Sequence, residues 1–176
     1  MNQEQIRIRI VETKEGAQVF WDQLQAYFDR DIFLPGEEQG RERCGSEEYR
    51  RNLEALRTRQ RDPLYFLYFE QGNRTLGLAM AVIYPSENGK CFILEFCVYP
   101  QFRGGGIGSA CAWALMDWAR QRGAVYFQLN AAREDRRRFW ERLGFLPDGT
   151  DQWGEPLMRT DPEGGPARLP ESQVSI

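Results

Sequence analysis

The sequence predicts an α+β fold with a mixed sheet, mostly antiparallel, that contains one parallel pair of strands. Apolar, aromatic stretches separated by short turns run from Leu64 to Tyr99 and predict an antiparallel meander. A helical pattern then leads to a further apolar stretch at 125–129, and a strand–helix–strand connection of this kind joins parallel strands. With 176 residues, 41% of them hydrophobic, the chain can bury the core that such a sheet needs.

The N-terminal part of the chain predicts one strand followed by helices. Residues 6–11 (IRIRIV) alternate apolar and charged side chains, which is typical of a half-buried strand. Residues 17–28 carry apolar side chains at near-helical spacing, and residues 30–45 form a loop or a short helical piece. Ser46, followed by two acids, predicts the N-cap of another helix that runs to about Arg59.

Acidic side chains are concentrated between Phe28 and Glu48. This segment holds seven acids and three bases, a net charge of −4, in a chain whose net charge is −3. Two interpretations stay open. Either the acids solvate a surface loop, or they form an electrostatic collar that attracts a cationic substrate.

The central part of the chain predicts three strands of the sheet. Residues 64–69 and 75–84 are apolar and aromatic, and the Asn88-Gly89 pair that follows them is a strong hairpin signal. The third strand, 92–99, ends at Pro100 because proline cannot donate a ladder hydrogen bond. These three strands form the predicted meander.

The C-terminal part predicts a strand, a helix and a last strand. Residues 125–129 form the strand, and residues 134–143 form a helix with its apolar residues on one side. The last strand is expected over Trp153–Met158. Because Pro156 interrupts it, we expect this strand at an edge of the sheet.

Composition disfavours several classes of protein. There is no histidine and the four cysteines show no Cys-x-x-Cys spacing, so we expect no metal site. The negative net charge disfavours nucleic-acid binding. No apolar run approaches the roughly 20 residues that span a bilayer, and the N-terminus lacks the apolar core of a signal peptide. We therefore expect a cytoplasmic protein with a single domain over 1–160 and a poorly ordered tail over 161–176.

A glycine-rich loop lies between the strand 92–99 and a helix that begins near Gly108 or Ser109 and ends at Gly123. The loop reads Arg103-Gly104-Gly105-Gly106-Ile107-Gly108. Its glycines are free to adopt positive φ, and such a loop at a helix N-terminus directs several N–H donors at one point. The loop therefore predicts a site for a phosphate or a diphosphate.

Three kinds of phosphate-binding site are candidates for this loop. A Rossmann dinucleotide site needs a glycine where Ser109 stands and an acid where the next strand ends, at Leu129-Asn130. A P-loop needs Gly-Lys-Ser/Thr, which the loop lacks. Coenzyme A needs amides for its diphosphate and an extended strand beside its pantetheine arm. The strand that enters this loop offers both.

The loop fits the (Gln/Arg)-x-x-Gly-x-(Gly/Ala) signature of the GNAT acyltransferase superfamily, between that family's fourth strand and third helix. A second landmark of the family, (Phe/Leu)-Tyr-x-x-x-Gly-Phe, corresponds to Phe139-Trp140-Glu141-Arg142-Leu143-Gly144-Phe145. Over about residues 5–160 the chain resembles this superfamily. The resemblance implies a three-layer α/β/α fold with the parallel pair of strands at a coenzyme A cleft.

The resemblance also implies a coenzyme A site. The backbone of residues 96–98 pairs with the pantetheine arm, and the amides of residues 103–109 hold the diphosphate. Asn130 contacts the arm, and Phe139 and Trp140 line the thioester end. Two interpretations stay open for the arginine cluster Arg133 to Arg138: it contacts the 3′-phosphate, or it forms a solvated helix face. The expected cofactor-binding residues are Phe96, Cys97, Val98, Arg103, Gly104, Gly105, Gly106, Ile107, Gly108, Ser109, Asn130, Arg133, Phe139 and Trp140.

Trp140 departs from the family pattern, which commonly has a tyrosine there as general acid for the departing thiolate. An indole N–H cannot supply a proton at neutral pH, so Tyr126 and Tyr99 are considered as substitutes. Without histidine, a carboxylate is the natural general base. Glu95, within an otherwise apolar strand, is the candidate for base or substrate anchor, and a structural carboxylate is its alternative role. Strand alternation places it on one face with Cys97 and Tyr99.

The sequence thus predicts an acetyl-CoA-dependent N-acetyltransferase that moves acetyl directly to a primary amine of a small molecule or peptide. The acidic segment favours a cationic acceptor. The alternative is an acyl-CoA-binding sensor or interaction protein with weak or no turnover, which Trp140 favours. We expect coenzyme A and an amine as partners, no nucleic acid or membrane, no metal, and a monomer or homodimer.

Overall fold

The structure is a computed structural model that describes residues 4–160. The tail expected at 161–176 lies outside the described residues. Five α-helices and a π-helical turn are found: α1 Lys14–Tyr27, the π-helical turn Phe28–Ile32, α2 Glu38–Cys44, α3 Glu47–Thr58, α4 Ile107–Arg120 and α5 Glu134–Arg142. The strands are β1 Arg7–Ile10, β2 Leu64–Gln71, β3 Arg74–Tyr84, β4 Lys90–Val98, β5 Tyr126–Asn130, β6 Leu146–Thr150 and β7 Pro156–Arg159.

The strands form a seven-stranded sheet in the order β1-β2-β3-β4-β5-β7-β6. Strands β4 and β5 are parallel, with Lys90 opposite Tyr126 and Ile93 opposite Leu129, and helix α4 makes the crossover between them. The pairs β1–β2, β5–β7 and β6–β7 are antiparallel. The predicted mixed, mostly antiparallel sheet with one parallel pair is therefore confirmed.

Two compact units divide the chain. The first comprises Met1–Ala81 and Glu95–Cys111, and the second comprises Val82–Leu94 and Ala112–Ile176. The single domain expected over residues 1–160 stays a prediction.

The core of the first unit forms where helix α1 covers strand β2. Phe20 stacks on Phe66 with ring centroids 4.4 Å apart and meets Tyr68 edge-on at 5.3 Å. Phe20, Leu24 and Phe66 are almost completely buried. Burying one such side chain contributes about 2 kcal/mol, so the apolar face of α1 fixes the helix on the sheet.

The core of the second unit is aromatic where helix α5 ends. Trp140 meets Phe139 and Phe145 edge-on, at centroid distances of 4.9 and 5.0 Å. Gly144, with φ of 92°, ends the helix as predicted and turns the chain so that Phe145 can enter this cluster.

The prediction of an edge position for the last strand is wrong. Strand β7 begins at Pro156 and lies between β5 and β6, whereas β6, which the sequence did not predict, is the outer strand. Proline is tolerated at the first residue of an inner strand. The carbonyl of Pro156 still pairs, because it accepts from the backbone N–H of Ala131 at 3.2 Å. A register shift between Pro147 and Thr150 makes β6 irregular.

Candidate active site

The glycine-rich loop has an unusual backbone. Gly104, Gly105 and Gly106 have φ of 89°, 59° and 82°, so each lies in the left-handed region that favours glycine. A Cβ atom at any of them would find nothing within 4 Å. The loop needs glycine for its conformation and not for lack of space. Helix α4 begins directly after it, at Ile107, and its first amides have no intrahelical acceptor.

This loop fits the diphosphate that the sequence led us to expect. Left-handed residues just before a helix N-terminus direct their N–H groups to one side, and the helix dipole adds positive potential there. The carbonyl of Gly104 accepts from the N–H of Ile107 at 3.2 Å, and the carbonyl of Gly106 accepts from Ala110 at 3.0 Å. These bonds join the loop to the first turn of α4.

Arg103 fixes the start of the loop. Its Nε donates to the carbonyl oxygen of Val98, the last residue of β4, at 2.8 Å. Its Nη2 and Nη1 donate to Oδ2 and Oδ1 of Asp31, at 2.7 and 3.3 Å. The side chain of Arg103 therefore bridges the end of β4 and the segment that follows α1.

Asp31 lies in the π-helical turn at the end of α1. The backbone N–H of Phe33 bonds to the carbonyl of Phe28 at 3.0 Å, five residues back. Arg30, in the same turn, also donates to Asp31, at 3.0 and 3.1 Å. Burial by itself raises the pKa of Asp31, but the hydrogen bonds and charges of Arg103 and Arg30 outweigh it and hold this pKa below its usual value.

The end of β4, predicted to pair with the pantetheine arm, is tightly enclosed in the first unit. The carbonyl of Phe96 accepts a long hydrogen bond from the hydroxyl of Tyr27 at 3.4 Å, and the Phe96 ring meets Phe69 at 5.3 Å. Cys97 is buried, and a Cβ on Gly77 of β3 would lie 2.0 Å from its carbonyl oxygen. Only glycine fits at this approach of β3 to β4.

The charge of Glu95 influences two residues of the helical segment after α1. Burial raises the pKa of the Tyr49 hydroxyl, and the charge of Glu95 raises it further. The pKa of the Cys44 thiol is also raised, first by burial and with a contribution from Glu95. The carboxylate of Glu95 therefore acts electrostatically on the end of α2 and the start of α3.

The side chains that share a face with Glu95 contact α1 and the π-helical turn. Arg30 Nη2 donates to the sulfur of Cys97 at 3.7 Å. The hydroxyl of Tyr99 donates to Oε1 of Gln23 in α1 at 2.6 Å, and burial raises the pKa of Tyr99. Contacts at alternate residues agree with strand alternation along this stretch.

Several carboxylates of the acidic segment 28–48 form ion pairs or hydrogen bonds with other residues of that segment. Asp29 pairs with Arg41 at 3.4 Å. Glu37 accepts from the backbone N–H of Leu34, and Glu38 from that of Gly36. With Asp31, four of its seven carboxylates order the segment itself. The other three, Glu42, Glu47 and Glu48, are exposed, as are Asp29, Glu37 and Glu38.

In the second unit, Asn130 stands at the end of β5, where the sequence placed it. Its Nδ2 donates to Oδ2 of Asp151 at 3.1 Å. Asp151 also accepts from the backbone N–H groups of Trp153 and Glu155, both at 2.9 Å. Asn130 thus anchors the turn between β6 and β7.

The other predicted residues of the second unit lie on β5 and α5. The hydroxyl of Tyr126 donates to the carbonyl of Glu87 at 3.2 Å, in the turn before β4. Arg133 is the N-cap residue of α5 and pairs with Asp135 at 3.5 Å. Phe139 is half-buried, whereas Trp140 is buried and belongs to the aromatic cluster.

Sequence reasoning missed the role of Asp31, which it counted only as one acid among seven. The sequence does place an acid beside an arginine just after an apolar helix, but nothing in it connects that pair to Arg103. Gly77 was also missed. The crowding at Gly77 depends on the neighbouring strand, and a lone glycine in a strand pattern gives only a general signal of close backbone approach.

Neither a metal centre nor a membrane span is found in the described part of the chain. Within residues 4–160, no group of three or more His, Cys, Asp or Glu side chains is arranged to hold a metal ion. Among the same residues, no helix combines the length and the apolar character that crossing a bilayer requires.

Solved structures with the same fold include several acetyltransferases. PaiA N-acetyltransferase from Thermoplasma acidophilum, in complex with coenzyme A, has a TM-score of 0.61 and 17% identity, over 89% of this chain and 98% of that one. A GCN5-related N-acetyltransferase from Rhodopseudomonas palustris has a TM-score of 0.60 and 17% identity, over 92% of this chain and 98% of that one. N-acetylglutamate synthase from Neisseria gonorrhoeae, complexed with coenzyme A and N-acetyl-glutamate, has a TM-score of 0.59 and 18% identity. The similarity covers 89% of this chain and 35% of that one.

A comparison with curated proteins found no match to this sequence. At identities of 14–18%, the likeness to solved structures shows the fold. The family is shown by sequence, because the model of the acetyltransferase (GNAT) family matches residues 21–145. That match includes both landmarks, the glycine-rich loop and the segment that ends at Phe145. The chain belongs to the acetyltransferase (GNAT) family.

Proposed function

We propose that the protein is an acetyl-CoA-dependent N-acetyltransferase that acts on a primary amine of a small molecule or peptide. The observation that carries the proposal is the loop at 103–109, whose three left-handed glycines directly precede the N-terminus of α4. Membership of the acetyltransferase (GNAT) family supports the reaction class. The fold likeness to a protein in complex with coenzyme A supports the same donor.

In this proposal the chain's own residues bind and orient the reactants. The amides of 103–109 hold the diphosphate of coenzyme A, and the backbone of Phe96, Cys97 and Val98 orients its pantetheine arm. Bound acetyl-CoA supplies the thioester. Asn130 contacts the arm, Phe139 and Trp140 line the thioester end, and Arg133 lies near the 3′-phosphate. Catalysis comes mainly from positioning.

Glu95 is proposed as the general base or as an anchor for the acceptor. An ammonium group must lose a proton before its nitrogen can attack, and Glu95 would take that proton directly or through water. Its electrostatic effect on Tyr49 and Cys44 supports a position towards the helical segment. The exposed acids of that segment support a cationic acceptor. Tyr126 is proposed as general acid, but its hydroxyl already donates a hydrogen bond to the carbonyl of Glu87, which is a structural role.

A second candidate function is an acyl-CoA-binding sensor with little or no turnover. Trp140 favours it, because a buried indole in an aromatic cluster cannot replace a tyrosine as proton donor. A thiol of pKa about 8.5 is nevertheless a fair leaving group, so the missing acid does not by itself exclude catalysis. A cytoplasmic location and a monomeric or homodimeric state remain predictions.

The test combines binding with turnover. Coenzyme A binding to the full chain is measured by calorimetry, and acetyl-CoA is then offered with spermidine, an aminoglycoside and a neutral peptide. Release of free coenzyme A together with an acetylated acceptor, identified by mass spectrometry, supports the enzyme. Binding without release on any amine favours the sensor. Absence of coenzyme A binding would contradict both functions.

A further inference from the structure

The ion pair between Asp31 and Arg103 joins two segments that are 72 residues apart in the chain. Both oxygens of the carboxylate accept from Arg103, and Oδ2 also accepts from Arg30. The Asp31 side chain is only 16% exposed, whereas that of Arg103 is 45% exposed. Two-point guanidinium–carboxylate contacts are both stronger and more directional than single contacts. The pair therefore fixes the orientation of Arg103.

The π-helical turn explains why Asp31 is available to Arg103. Its five-residue hydrogen bond, from the N–H of Phe33 to the carbonyl of Phe28, widens the helix by one residue before the chain leaves it. Arg30 contacts Asp31 within this turn. The position of Asp31 is thus set by the end of α1, a helix that is itself fixed in the core through Phe20 and Leu24.

The glycine-rich loop needs an external anchor. Three consecutive glycines have great conformational freedom, and no side chain surrounds the positions where their Cβ atoms would be. The loop is joined to α4 at one end. At the other end Arg103 is its first residue and is bonded to both Val98 and Asp31. A loop that is ordered before the ligand arrives avoids the entropic cost of ordering on binding.

We propose that Asp31 is a positioning residue for the coenzyme A diphosphate loop and that it acts through Arg103. The inference rests on the proposed function, because it assigns the loop to coenzyme A. In this proposal Asp31 acts on the loop and not on either substrate. Its negative charge does not make the site repulsive to a diphosphate, because Arg30 and Arg103 together outweigh it. Hydrogen bonds thereby join the π-helical turn, which belongs to the acidic segment, to the glycine-rich loop within the first unit.

The test is calorimetric binding of coenzyme A to the full-length Asp31→Asn variant. We expect the dissociation constant to rise about fivefold to tenfold, as for the loss of one charge-assisted contact. In steady-state kinetics the loss should fall on the KM for acetyl-CoA more than on kcat. Asp29→Asn is the matched control, because Asp29 lies in the same turn and pairs with Arg41. Its affinity for coenzyme A should be unchanged.

A second variant keeps the inference testable if Asp31→Asn unfolds. Arg103→Lys retains the charge but loses the two-point contact, so it should weaken coenzyme A binding to a similar extent. The double variant should bind coenzyme A no more weakly than the weaker of the two single variants. Unchanged coenzyme A affinity in a folded single variant, or additive losses in the double, would overturn the role of Asp31. If the wild-type chain binds no coenzyme A, the proposed function fails and this inference fails with it.

Discussion

Gly77 of β3 and Cys97 of β4 approach so closely that a Cβ on Gly77 would lie 2.0 Å from the Cys97 carbonyl oxygen and 2.9 Å from the Cα of Val98. Real Cβ atoms essentially never come that near to backbone atoms. The glycine therefore determines how β3 lies against the part of β4 that we assign to the pantetheine arm.

Gly77→Ala should destabilise the protein, because one of the two strands must move. We expect a loss of about 3 kcal/mol in the free energy of unfolding, the upper range for overpacking. Urea denaturation measures it. Gly154→Ala is the comparison, since Gly154 has φ of 85° and open space around it and should lose only about 1 kcal/mol through backbone strain. Equal losses in the two variants would argue against the close approach.

Gly106→Trp should remove coenzyme A binding while leaving the fold intact. A Cβ at Gly106 meets nothing within 4 Å, so the side chain costs mainly the strain of its φ of 82°, about 1–2 kcal/mol. The indole would occupy the space in front of the loop amides. Circular dichroism checks the fold and calorimetry the binding. Gly123→Trp, at the end of the same helix with φ of 94°, carries equal strain and should bind normally. Normal binding by Gly106→Trp would remove the loop from the site.

Glu95→Gln should change the pH dependence of the reaction. A general base must be unprotonated, so kcat/KM of the wild type should fall on the acidic side as Glu95 takes up a proton. The glutamine variant should lose this acidic limb and about 100-fold in rate at neutral pH. The exposed Glu12, which lies outside the acidic segment, serves as control when changed to Gln. An acidic limb that persists unchanged in Glu95→Gln would contradict Glu95 as the base.

The buried thiols should resist alkylation. Burial raises the pKa of Cys91 and of Cys111 to about 12, because the thiolate would be desolvated. At pH 8 only about one thiol in 10⁴ is then ionised, and the thiolate is the reactive form. Intact-protein mass spectrometry with iodoacetamide should show Cys44, which is half-buried, modified first. Rapid labelling of Cys91 or Cys111 in the folded protein would contradict this.

The same burial gives a stability prediction of defined sign. A thiol whose pKa is higher in the folded state stabilises that state fully below the unfolded pKa, near 9, and loses the effect as the pH rises through about 12. The free energy of unfolding should therefore decline above about pH 9. Cys91→Ala should reduce that decline. A decline identical to that of the wild type would rule out this contribution of Cys91.

Elements with a local signal were predictable from the sequence. Ser46 caps α3 as predicted, since its Oγ accepts from the backbone N–H of Tyr49 at 3.1 Å. The strands of the meander and the parallel pair at β4 and β5 follow from periodicity and connection length. Each of these features depends on residues close together in the chain or on a general rule of chain connection.

Elements that depend on distant partners were not predictable. Strand β6 contains Pro147, Asp148 and Gly149, which are turn-forming residues, and only its pairing with β7 makes it a strand. The π-helical turn has the same apolar spacing as an ordinary helix end. The predicted collar of acids contained Asp31, but its partner Arg103 lies 72 residues further on.

The π-helical turn has a consequence for changes of chain length. Removing Phe28, Asp29 or Arg30 would allow an ordinary α-helical turn and would move Asp31 one position back along the helix. Because consecutive residues in an α-helix are about 100° apart around its axis, the deletion would carry Asp31 away from Arg103. Exposed loops usually tolerate insertions and deletions. Here the number of residues in the turn is constrained as strictly as their identity.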